Sequence, residues 1–404
     1  MTYPAHPTTL TQLGALMRDN AEALRSATQD YLYNHVVESR QIFAIRAAEA
    51  HVELAPAVAW VLEHAEADGA LAQPALRRLY ELGRDHRRHG FPEQIYAVFA
   101  DALRAGIKAA GCPEELQGSA DRAMRAACAA MAEATHAADL AGAAPAHTAT
   151  VVAVERPNRH TAVVRLEAGL PFDYHPGQHI PVTTPHLPGM WRYLTPASPA
   201  DTAGQLTFHI TDVGEASSML AKARPGDQWT LGTPRGEFVN FPGFNLVFIS
   251  YGAGWAAVRP YLLSLVEAAR RAGTSAGFKA TVYAVAPSPG EHYDTFFQAN
   301  LMELAPWITI HHVVRREEDP WLLGAGERSA DVSFIVSEEP IDAVVGREKV
   351  SVSNFVLVGP SDRVRVGRDR LIAEGVNPDY IEAHPWERGG QWARADQPPA
   401  QTEF

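Results

Sequence analysis

The stretch Leu82-Gly83-Arg84-Asp85-His86 is followed closely by Pro92-Glu93-Gln94 and Tyr96. It predicts a helix that presents one imidazole, a short break, and a second helix beginning at the Pro-Glu pair, because proline suits a first helical turn. A neutral imidazole held on a helix above an apolar pocket is a usual proximal ligand of haem iron. A tyrosine ten residues later can orient that imidazole. A histidine near a helix end can equally be a surface or capping residue, so the rest of the chain decides.

The composition indicates a globular protein of two or three domains. Its 404 residues are 46% hydrophobic and 20% charged, which is ordinary for such proteins. The net charge of −12 argues against a nucleic-acid-binding surface. Cys112 and Cys128 are too few for a disulfide framework and indicate a reducing cytoplasm. We expect neither a signal peptide nor a membrane span, because the N-terminal stretch lacks their charge pattern and no apolar run is long enough.

Three sequence patterns follow one another. Residues 1–143 show helical periodicity, which predicts a compact all-α domain. An Ala/Gly/Pro linker at 141–146 leads into short alternating runs separated by turn residues, which predict a small β-barrel over 147–241. From 242 to 404, strand-like and helix-like segments alternate, beginning with an apolar run at 244–250. That alternation predicts a doubly wound parallel sheet.

Short motifs in the last two regions are typical of nucleotide-binding sites. Arg192 stands near hydroxyl-bearing residues at a strand end, where a guanidinium can hold a diphosphate. The segment 214–220 indicates a loop before a helix, where backbone N–H groups can receive phosphate. The glycines of 252–254 separate a strand from a helix and permit close approach of a pyrophosphate. Residues 358–361 form a second loop at the same sheet edge, although each motif alone also fits ordinary turns.

In this order, segments 176–178, 192–195, 214–217, 252–254 and 358–360 resemble the ferredoxin-reductase-like FAD/NAD(P) module. With the preceding Leu-Gly-x-x-His helix, nearly the whole chain resembles a flavohaemoglobin, a globin fused to that reductase. The resemblance implies a multidomain fold with a globin over 1–143, a FAD-binding β-barrel over 147–241, and an NAD(P)-binding α/β domain over 242–404. It implies haem b, FAD and NAD(P)H as cofactors, with NADH favoured over NADPH.

Around the haem, the resemblance assigns four positions, three of them on the proximal side. His86 matches the iron ligand, and Tyr96 matches the tyrosine that hydrogen-bonds it. The carboxylate that completes this group falls on Asp139, with Glu133 as the competing position. Phe43 matches the phenylalanine that packs against the haem.

On the distal side, the chain departs from the family pattern. The usual oxygen-binding tyrosine falls on Gln29 in an ungapped count, or on Tyr33 if the helix pairing shifts by one turn. The usual distal glutamine falls on Ala50, with His51 beside it. Leu54 matches a distal-pocket leucine.

The flavin and nucleotide positions also show replacements. The tyrosine that usually packs on the isoalloxazine is replaced by Leu194, and its serine partner by Thr195. Val358 replaces a cysteine, and Ala257 replaces a proline. Trp386 stands where an aromatic residue covers the flavin, or is simply an exposed tail residue. The resemblance assigns the cofactor contacts to Arg192, Tyr193, Leu194, Thr195, Gly214, Ala216, Ser217, Gly252, Ala253, Gly254, Gly359, Pro360 and Trp386.

The implied activity is an oxidoreductase reaction in which electrons pass from NAD(P)H through FAD to haem, and nitric oxide and oxygen become nitrate. The replacements at Gln29, Ala50, Leu194 and His384 favour a second possibility, a specialised redox or biosynthetic step. A gas-binding haem sensor is a third. We expect oxygen, nitric oxide and NAD(P)H as ligands, no nucleic acid, a cytoplasmic location, and a monomer or weak dimer.

Overall fold

The computed structural model describes residues 7–36, 53–187, 190–236, 245–273, 279–319 and 333–386. The chain divides into two compact units, the first ending at His147 and the second beginning at Thr148. This break lies beside the predicted linker. The predicted boundary at 241/242 falls on residues outside the described ranges and stays a prediction.

The first unit is helical over its described residues. Its helices are α1 (Leu10–Asp19), α2 (Ala21–His35), α3 (Leu54–Glu63), α4 (Gln73–His86), α5 (Ile95–Ala109) and α6 (Glu114–Leu140). A 3-10 turn at Arg87–His89 and the left-handed Gly90 end α4, which confirms the predicted break after His86. The next helix starts later than predicted. The carbonyls of Pro92 and Glu93 accept from the N–H groups of Ile95 and Tyr96, so the Pro-Glu pair forms the turn that precedes α5.

The helical core is apolar, and two of its helices approach each other closely. Buried side chains from all six helices, α1 to α6, form one cluster that includes Leu13, Met17 and Leu62. Gly83 of α4 lies against the backbone of Met131 on α6, and a Cβ at this position would overlap the Met131 carbonyl. The absence of a side chain at Gly83 therefore permits the contact that sets α4, with His86 at its end, against α6.

The second unit begins with a six-stranded antiparallel sheet. Its strands are β1 (His147–Glu155), β2 (Thr161–Glu167), β3 (Ile180–Thr183), β4 (Arg192–Leu194), β5 (Gln205–Thr211) and β6 (Gln228–Leu231), with a short helix α7 (Glu215–Ala221) after β5. The strand order is β4-β3-β6-β1-β2-β5. A bridge between Pro196, just after β4, and Phe208 of β5 brings the two edges together. The sheet therefore forms the predicted barrel.

A six-stranded parallel sheet follows. Its elements are β7 (Asn245–Tyr251), α8 (Trp255–Ala272), β8 (Lys279–Ala286), α9 (Thr295–Leu304), β9 (Ile308–Val314), β10 (Phe334–Val336), α10 (Pro340–Val345), β11 (Asn354–Pro360), α11 (Ser361–Ala373) and β12 (Ile381–Trp386). The order β10-β9-β8-β7-β11-β12 reverses direction between β7 and β11, which is where such sheets bind ligands. Apolar clusters cover both faces, so the predicted doubly wound sheet is confirmed.

None of the helices in the described part of the chain combines the length and the apolar composition needed to cross a membrane.

Candidate functional site

The imidazole of His86 is held in a fixed orientation at the end of α4. Its Nδ1 lies 2.9 Å from the carbonyl oxygen of Leu82 one turn earlier. Since a carbonyl can only accept, Nδ1 carries a proton, and in the neutral ring Nε2 then carries the lone pair. A backbone carbonyl that fixes the tautomer of a histidine in this way is a common partner of metal-binding imidazoles. The half-buried ring therefore has the chemistry of a ligand.

The predicted tyrosine lies on the next helix and is linked to α4 by a hydroxyl group. Tyr96 is 5% exposed, and burial raises the pKa of its phenol, while hydrogen bonding with the Thr135 hydroxyl opposes that rise. The Thr135 hydroxyl donates to the carbonyl of Gly83 at 3.2 Å. A chain of neutral groups therefore runs from Tyr96 to the helix that carries His86.

Asp139 does not occupy the position predicted for it. Its carboxylate accepts from Arg87 Nη2 at 2.5 Å and from Arg87 Nε at 3.0 Å, and its side chain is 57% exposed. Arg87 follows His86 directly and is buried. Asp139, in the last turn of α6, therefore pairs with this guanidinium. Glu133, the competing candidate, is exposed. Thr135 is the residue of α6 that pairs with Tyr96.

A buried carboxylate that sequence reasoning missed lies beside His86. Asp85 is 1% exposed and forms an ion pair with Arg88. Its charge contributes to the raised pKa of the Tyr96 phenol. The signal in the sequence was an acid directly before the histidine and two arginines directly after it, since a buried aspartate needs a nearby cation.

The two candidates for the distal tyrosine position lie together. Gln29 Nε2 donates to the Tyr33 hydroxyl at 2.5 Å, one turn apart on the same side of α2, and both side chains are half-buried. The structure thus brings both residues to one site. Leu54 begins α3 and packs against the helical core. Three further predicted haem-pocket residues lie outside the described residues: Phe43, Ala50 and His51.

In the barrel, β4 presents an aromatic side chain on its outer face. Leu194 lies opposite Ile180 and Tyr193 lies opposite Pro181, and residues opposite each other share a face of the sheet. Ile180 is fully buried in the barrel core, and Leu194 packs against that core. Tyr193, on the other face, is 38% exposed. The predicted flavin contact of Leu194 is therefore not supported, because strand alternation turns this residue inward.

Two further side chains pack against the ring of Tyr193 on the outer face of β4. The guanidinium of Arg235 lies 4.9 Å from the centre of the Tyr193 ring. The ring of His179 meets that of Tyr193 edge-on at 5.3 Å. Arg192 is exposed at the start of β4, where its Nη1 donates to the Trp191 carbonyl at 2.9 Å. Aromatic and cationic groups thus line one surface.

Thr195 directly follows β4 and is half-buried. It is the last of the four consecutive residues, 192–195, for which a cofactor contact was predicted.

The predicted phosphate loop is stabilised by its serine. The Val213 N–H donates to Ser217 Oγ at 3.0 Å, and the Ser217 hydroxyl donates to the Gly214 carbonyl at 2.9 Å. Ala216 is buried beneath the loop. Gly214 has open space on its Cβ side, so the backbone is accessible at this position.

The two glycine loops of the parallel sheet meet at its carboxyl edge, as predicted. A Cβ on Gly254 would lie 2.6 Å from the Val358 carbonyl oxygen, and a Cβ on Gly359 would lie 2.7 Å from Tyr251 Cβ. Gly252 adopts a left-handed φ of 55°. Each glycine thus permits a turn or a backbone contact that another residue would obstruct. Ala253 and Pro360 are buried within the two loops.

Trp386 ends β12 at this same edge. It lies opposite Pro360 in the register and is 39% exposed. The Ser361 hydroxyl donates to its carbonyl at 2.7 Å, so the backbone at this position is anchored. An anchored, accessible aromatic ring can cover a planar ligand.

Arg259 of α8 connects the parallel sheet to the barrel. Its Nη1 donates to the Ala197 carbonyl at 2.5 Å, and its Nε lies 3.2 Å from Asp294 Oδ2. Asp294 also accepts from Trp255 Nε1 at 2.7 Å. Burial raises the pKa of Asp294, while Trp255 and Arg259 oppose the rise. Sequence reasoning missed this link, because nothing in the order of residues places 259 beside 197.

Three histidines of the second unit are held neutral by burial. Burial lowers the pKa of His209 and of His292 to about 3 and that of His312 to about 4. His209 Nδ1 hydrogen-bonds the Tyr293 hydroxyl at 3.1 Å, and His312 Nε2 hydrogen-bonds Gln298 at 2.7 Å. Each ring is therefore paired in its neutral form.

These shifts predict acid lability. A histidine in the unfolded chain has a pKa of about 6.5. Below that pH the unfolded chain therefore binds protons at these three histidines, whereas the folded protein does not. Stability is full above about pH 6.5 and falls with the pH toward the lowered values, by about 1 kcal/mol per pH unit for each histidine. Urea unfolding from pH 7 to pH 5 should show this loss, and His209→Gln should lessen the slope. A stability that is flat across this range would contradict the assignment.

Comparisons with known proteins agree with this architecture. Residues 148–240 match the oxidoreductase FAD-binding domain family. The flavohemoglobin of Malassezia yamatoensis, solved with bound FAD and heme, has 16% identity and a TM-score of 0.61 over 93% of this chain and 98% of that chain. The Amycolatopsis cytochrome P450 reductase GcoB has 22% identity and a TM-score of 0.51 over 61% of this chain and 71% of that chain. No curated protein sequence matches the chain.

The class follows from the barrel and the parallel sheet. The chain contains an oxidoreductase FAD-binding domain, which coincides with the barrel, followed by a doubly wound parallel sheet. With the helical unit in front, its fold is that of a flavohaemoglobin-like protein.

Proposed function

We propose that this protein is an NAD(P)H-dependent flavohaemoprotein that passes electrons through FAD to haem and converts nitric oxide and oxygen to nitrate. The observation that carries the proposal is the orientation of His86, whose Nδ1 is bonded to the Leu82 carbonyl at 2.9 Å, in a chain that also contains an FAD-binding oxidoreductase domain. The flavohemoglobin that shares this fold contains FAD and heme, which supports the same pair of cofactors here.

The helical residues fit a haem on the proximal side. His86 would ligate the iron through Nε2, and the Leu82 carbonyl holds the ring in that tautomer. Tyr96 and Thr135 brace the helix that carries it. Asp85, buried directly before His86, pairs with Arg88 and so holds the end of the same helix.

The second unit fits FAD and a nicotinamide nucleotide. The outer face of β4, with Tyr193 and Arg235, would hold the flavin ring, and the loops at Gly254 and Gly359 would hold the dinucleotide. When bound, FAD would accept a hydride and pass on its two electrons one at a time, and haem would supply an iron that binds gases. Arg259 would keep the flavin surface and the nucleotide edge in one geometry, because it contacts both the barrel, at Ala197, and Asp294, the residue that precedes α9.

A second function is favoured by the neutral partner of Tyr96. The carboxylate that the resemblance expects near Tyr96 is Asp139, which pairs with Arg87 instead, and the hydrogen-bonding group that acts on the Tyr96 phenol is the uncharged hydroxyl of Thr135. On α2, Gln29 occupies the position where the resemblance expects a tyrosine, and its amide donates to the Tyr33 hydroxyl. Both features favour a specialised redox step on a different substrate.

The two functions are distinguished by one series of measurements. Absorption spectra of the purified protein should show a Soret band and a flavin shoulder, and NAD(P)H followed by carbon monoxide should shift the Soret band. Nitric oxide consumption in air should then require NAD(P)H. A Soret shift that shows reduction of the haem by NAD(P)H, without nitric oxide consumption, would contradict the dioxygenase activity and favour the specialised step. A haem that NAD(P)H does not reduce would contradict both.

The outer face of β4 gives a test of the flavin site. Tyr193→Ala should weaken FAD binding about fivefold, because an aromatic stacking contact contributes about 1 kcal/mol, whereas Tyr193→Phe should retain it. The measurement is FAD fluorescence during titration of the flavin-depleted protein. Leu194→Ala is the matched control, since its side chain packs on the core and should lower stability more than flavin affinity. If Leu194→Ala weakens FAD binding and Tyr193→Ala does not, the flavin contact belongs to Leu194 and not to Tyr193.

A further inference from the structure

A crevice opens at the carboxyl edge of the parallel sheet, next to the Gly252 loop. It is lined by Tyr251, Gly252, Val285, Ala286, Pro287, Arg315, Pro340 and Arg363. Most of this lining is apolar, and its two charged side chains are both guanidinium groups. A ligand with an apolar ring and an anionic substituent matches such a lining.

The two arginines keep hydrogen-bonding capacity for an anion. Arg315 follows β9, and the one hydrogen bond that its side chain makes to another described residue runs from Nε to the Glu338 carbonyl at 3.2 Å. Among the described residues, the nearest carboxylate oxygens to the Arg363 guanidinium belong to Glu339 and Asp362 at 3.8 and 3.9 Å, which is beyond hydrogen-bond distance. The Arg363 side chain is only 18% exposed, so it is held at the crevice.

The end of β8, the second strand of the parallel sheet along the chain, lacks the acidic side chain that favours NADH. Dinucleotide folds that prefer NADH place a carboxylate near this point to accept from the ribose 2′-hydroxyl, whereas those that prefer NADPH place an arginine near the 2′-phosphate. Here β8 ends in Val285-Ala286-Pro287. Among the described residues that line the crevice, none is acidic.

We propose that this crevice binds the 2′-phosphate of NADPH between Arg315 and Arg363, so that the protein prefers NADPH to NADH. The inference rests on the proposed function, in which a nicotinamide nucleotide is the reductant, and it reverses the preference for NADH implied by the sequence resemblance. A guanidinium binds phosphate through paired N–H donors, and two of them suit a dianion.

The carboxylates near Arg363 do not prevent this binding. The Glu339 side chain is 49% exposed and can turn toward water when a phosphate takes its place. Asp362 lies at 3.9 Å from Arg363 Nε and contributes only a screened attraction at that distance. The phosphate would replace long ion pairs with hydrogen bonds, which are stronger.

The test is calorimetric binding of 2′,5′-ADP and of 5′-AMP to the purified holoprotein. We expect 2′,5′-ADP to bind about 10- to 100-fold more tightly, as one or two charge-assisted hydrogen bonds would give. Arg363→Gln and Arg315→Gln should each remove most of that difference and leave 5′-AMP affinity unchanged. Arg365→Gln is the matched control on α11, because its side chain is 52% exposed and pairs with Asp369.

Each outcome separates this inference from the proposed function. Equal affinity for the two nucleotides, or an Arg363→Gln variant that retains the difference, would overturn the 2′-phosphate site. Flavin reduction with equal kcat/KM for NADH and NADPH would also overturn it and leave the proposed function intact. Arginine-dependent binding of 2′,5′-ADP without flavin reduction by either nucleotide would support the site and contradict the proposed function.

Discussion

We expect His86→Ala to abolish haem binding and to reduce nitric oxide consumption by at least about 100-fold, because the substitution removes the imidazole that the proposed function assigns to the iron. The NAD(P)H-dependent reduction of ferricyanide should persist, since the flavin and nucleotide sites belong to the second unit. The measurements are the Soret absorbance per FAD and the two activities. Added imidazole should restore part of the Soret band if the pocket itself is intact.

His136→Ala is the matched control. This histidine lies on α6, is 57% exposed, and pairs with Glu93 at 2.7 Å, so its removal should leave the haem content unchanged. A normal Soret band in His86→Ala would show that another residue ligates the iron. Loss of the band in both variants would show a general effect on the helical unit and contradict a specific role for His86.

The second large effect is expected from Gly254→Ala. The new Cβ would lie 2.6 Å from the Val358 carbonyl oxygen and 3.4 Å from Val358 Cβ. Because the obstructing atom is backbone of the neighbouring strand, the nucleotide loop must move away from β11. Overpacking of this kind costs about 1–3 kcal/mol, so thermal stability should fall. The KM for the nicotinamide nucleotide should rise about tenfold, as the displaced loop no longer meets the pyrophosphate.

Gly118→Ala is the control for this substitution. Gly118 lies in α6 with nothing within 4 Å of its Cβ position, so alanine should be neutral or slightly stabilising. Stopped-flow reduction of the flavin at several nucleotide concentrations measures the effect on KM directly. If Gly254→Ala retains the parental KM and melting temperature, the contact between the two loops is not required for nucleotide binding.

Much of the architecture could be predicted from local patterns. Helical periodicity before position 143, alternation in the barrel and alternating strands and helices afterwards each depend on residues near in sequence. The loops at Gly254 and Gly359 were also predictable, because their glycines follow apolar strands of a parallel sheet. The break after His86 followed from the residues around Gly90.

The side chains around the predicted ligand were less predictable. Asp139 was expected beside Tyr96, yet it pairs with Arg87, and the buried acid near His86 is Asp85. Which acid is buried depends on how α6 packs against α4, a contact that brings together residues about fifty positions apart in the sequence. A count along the chain cannot choose between these carboxylates, because both lie near helix ends.

The sequence by itself therefore determined the succession of helical unit, barrel and parallel sheet, and it predicted His86 as the candidate iron ligand. Only the tertiary structure decided that Tyr193 rather than Leu194 faces outward, that Thr135 pairs with Tyr96, and that Arg315 and Arg363 share one crevice. The physical reason is the separation along the chain over which each kind of interaction acts. Periodicity and turn chemistry act between near neighbours, whereas strand register and helix packing decide which distant side chains meet.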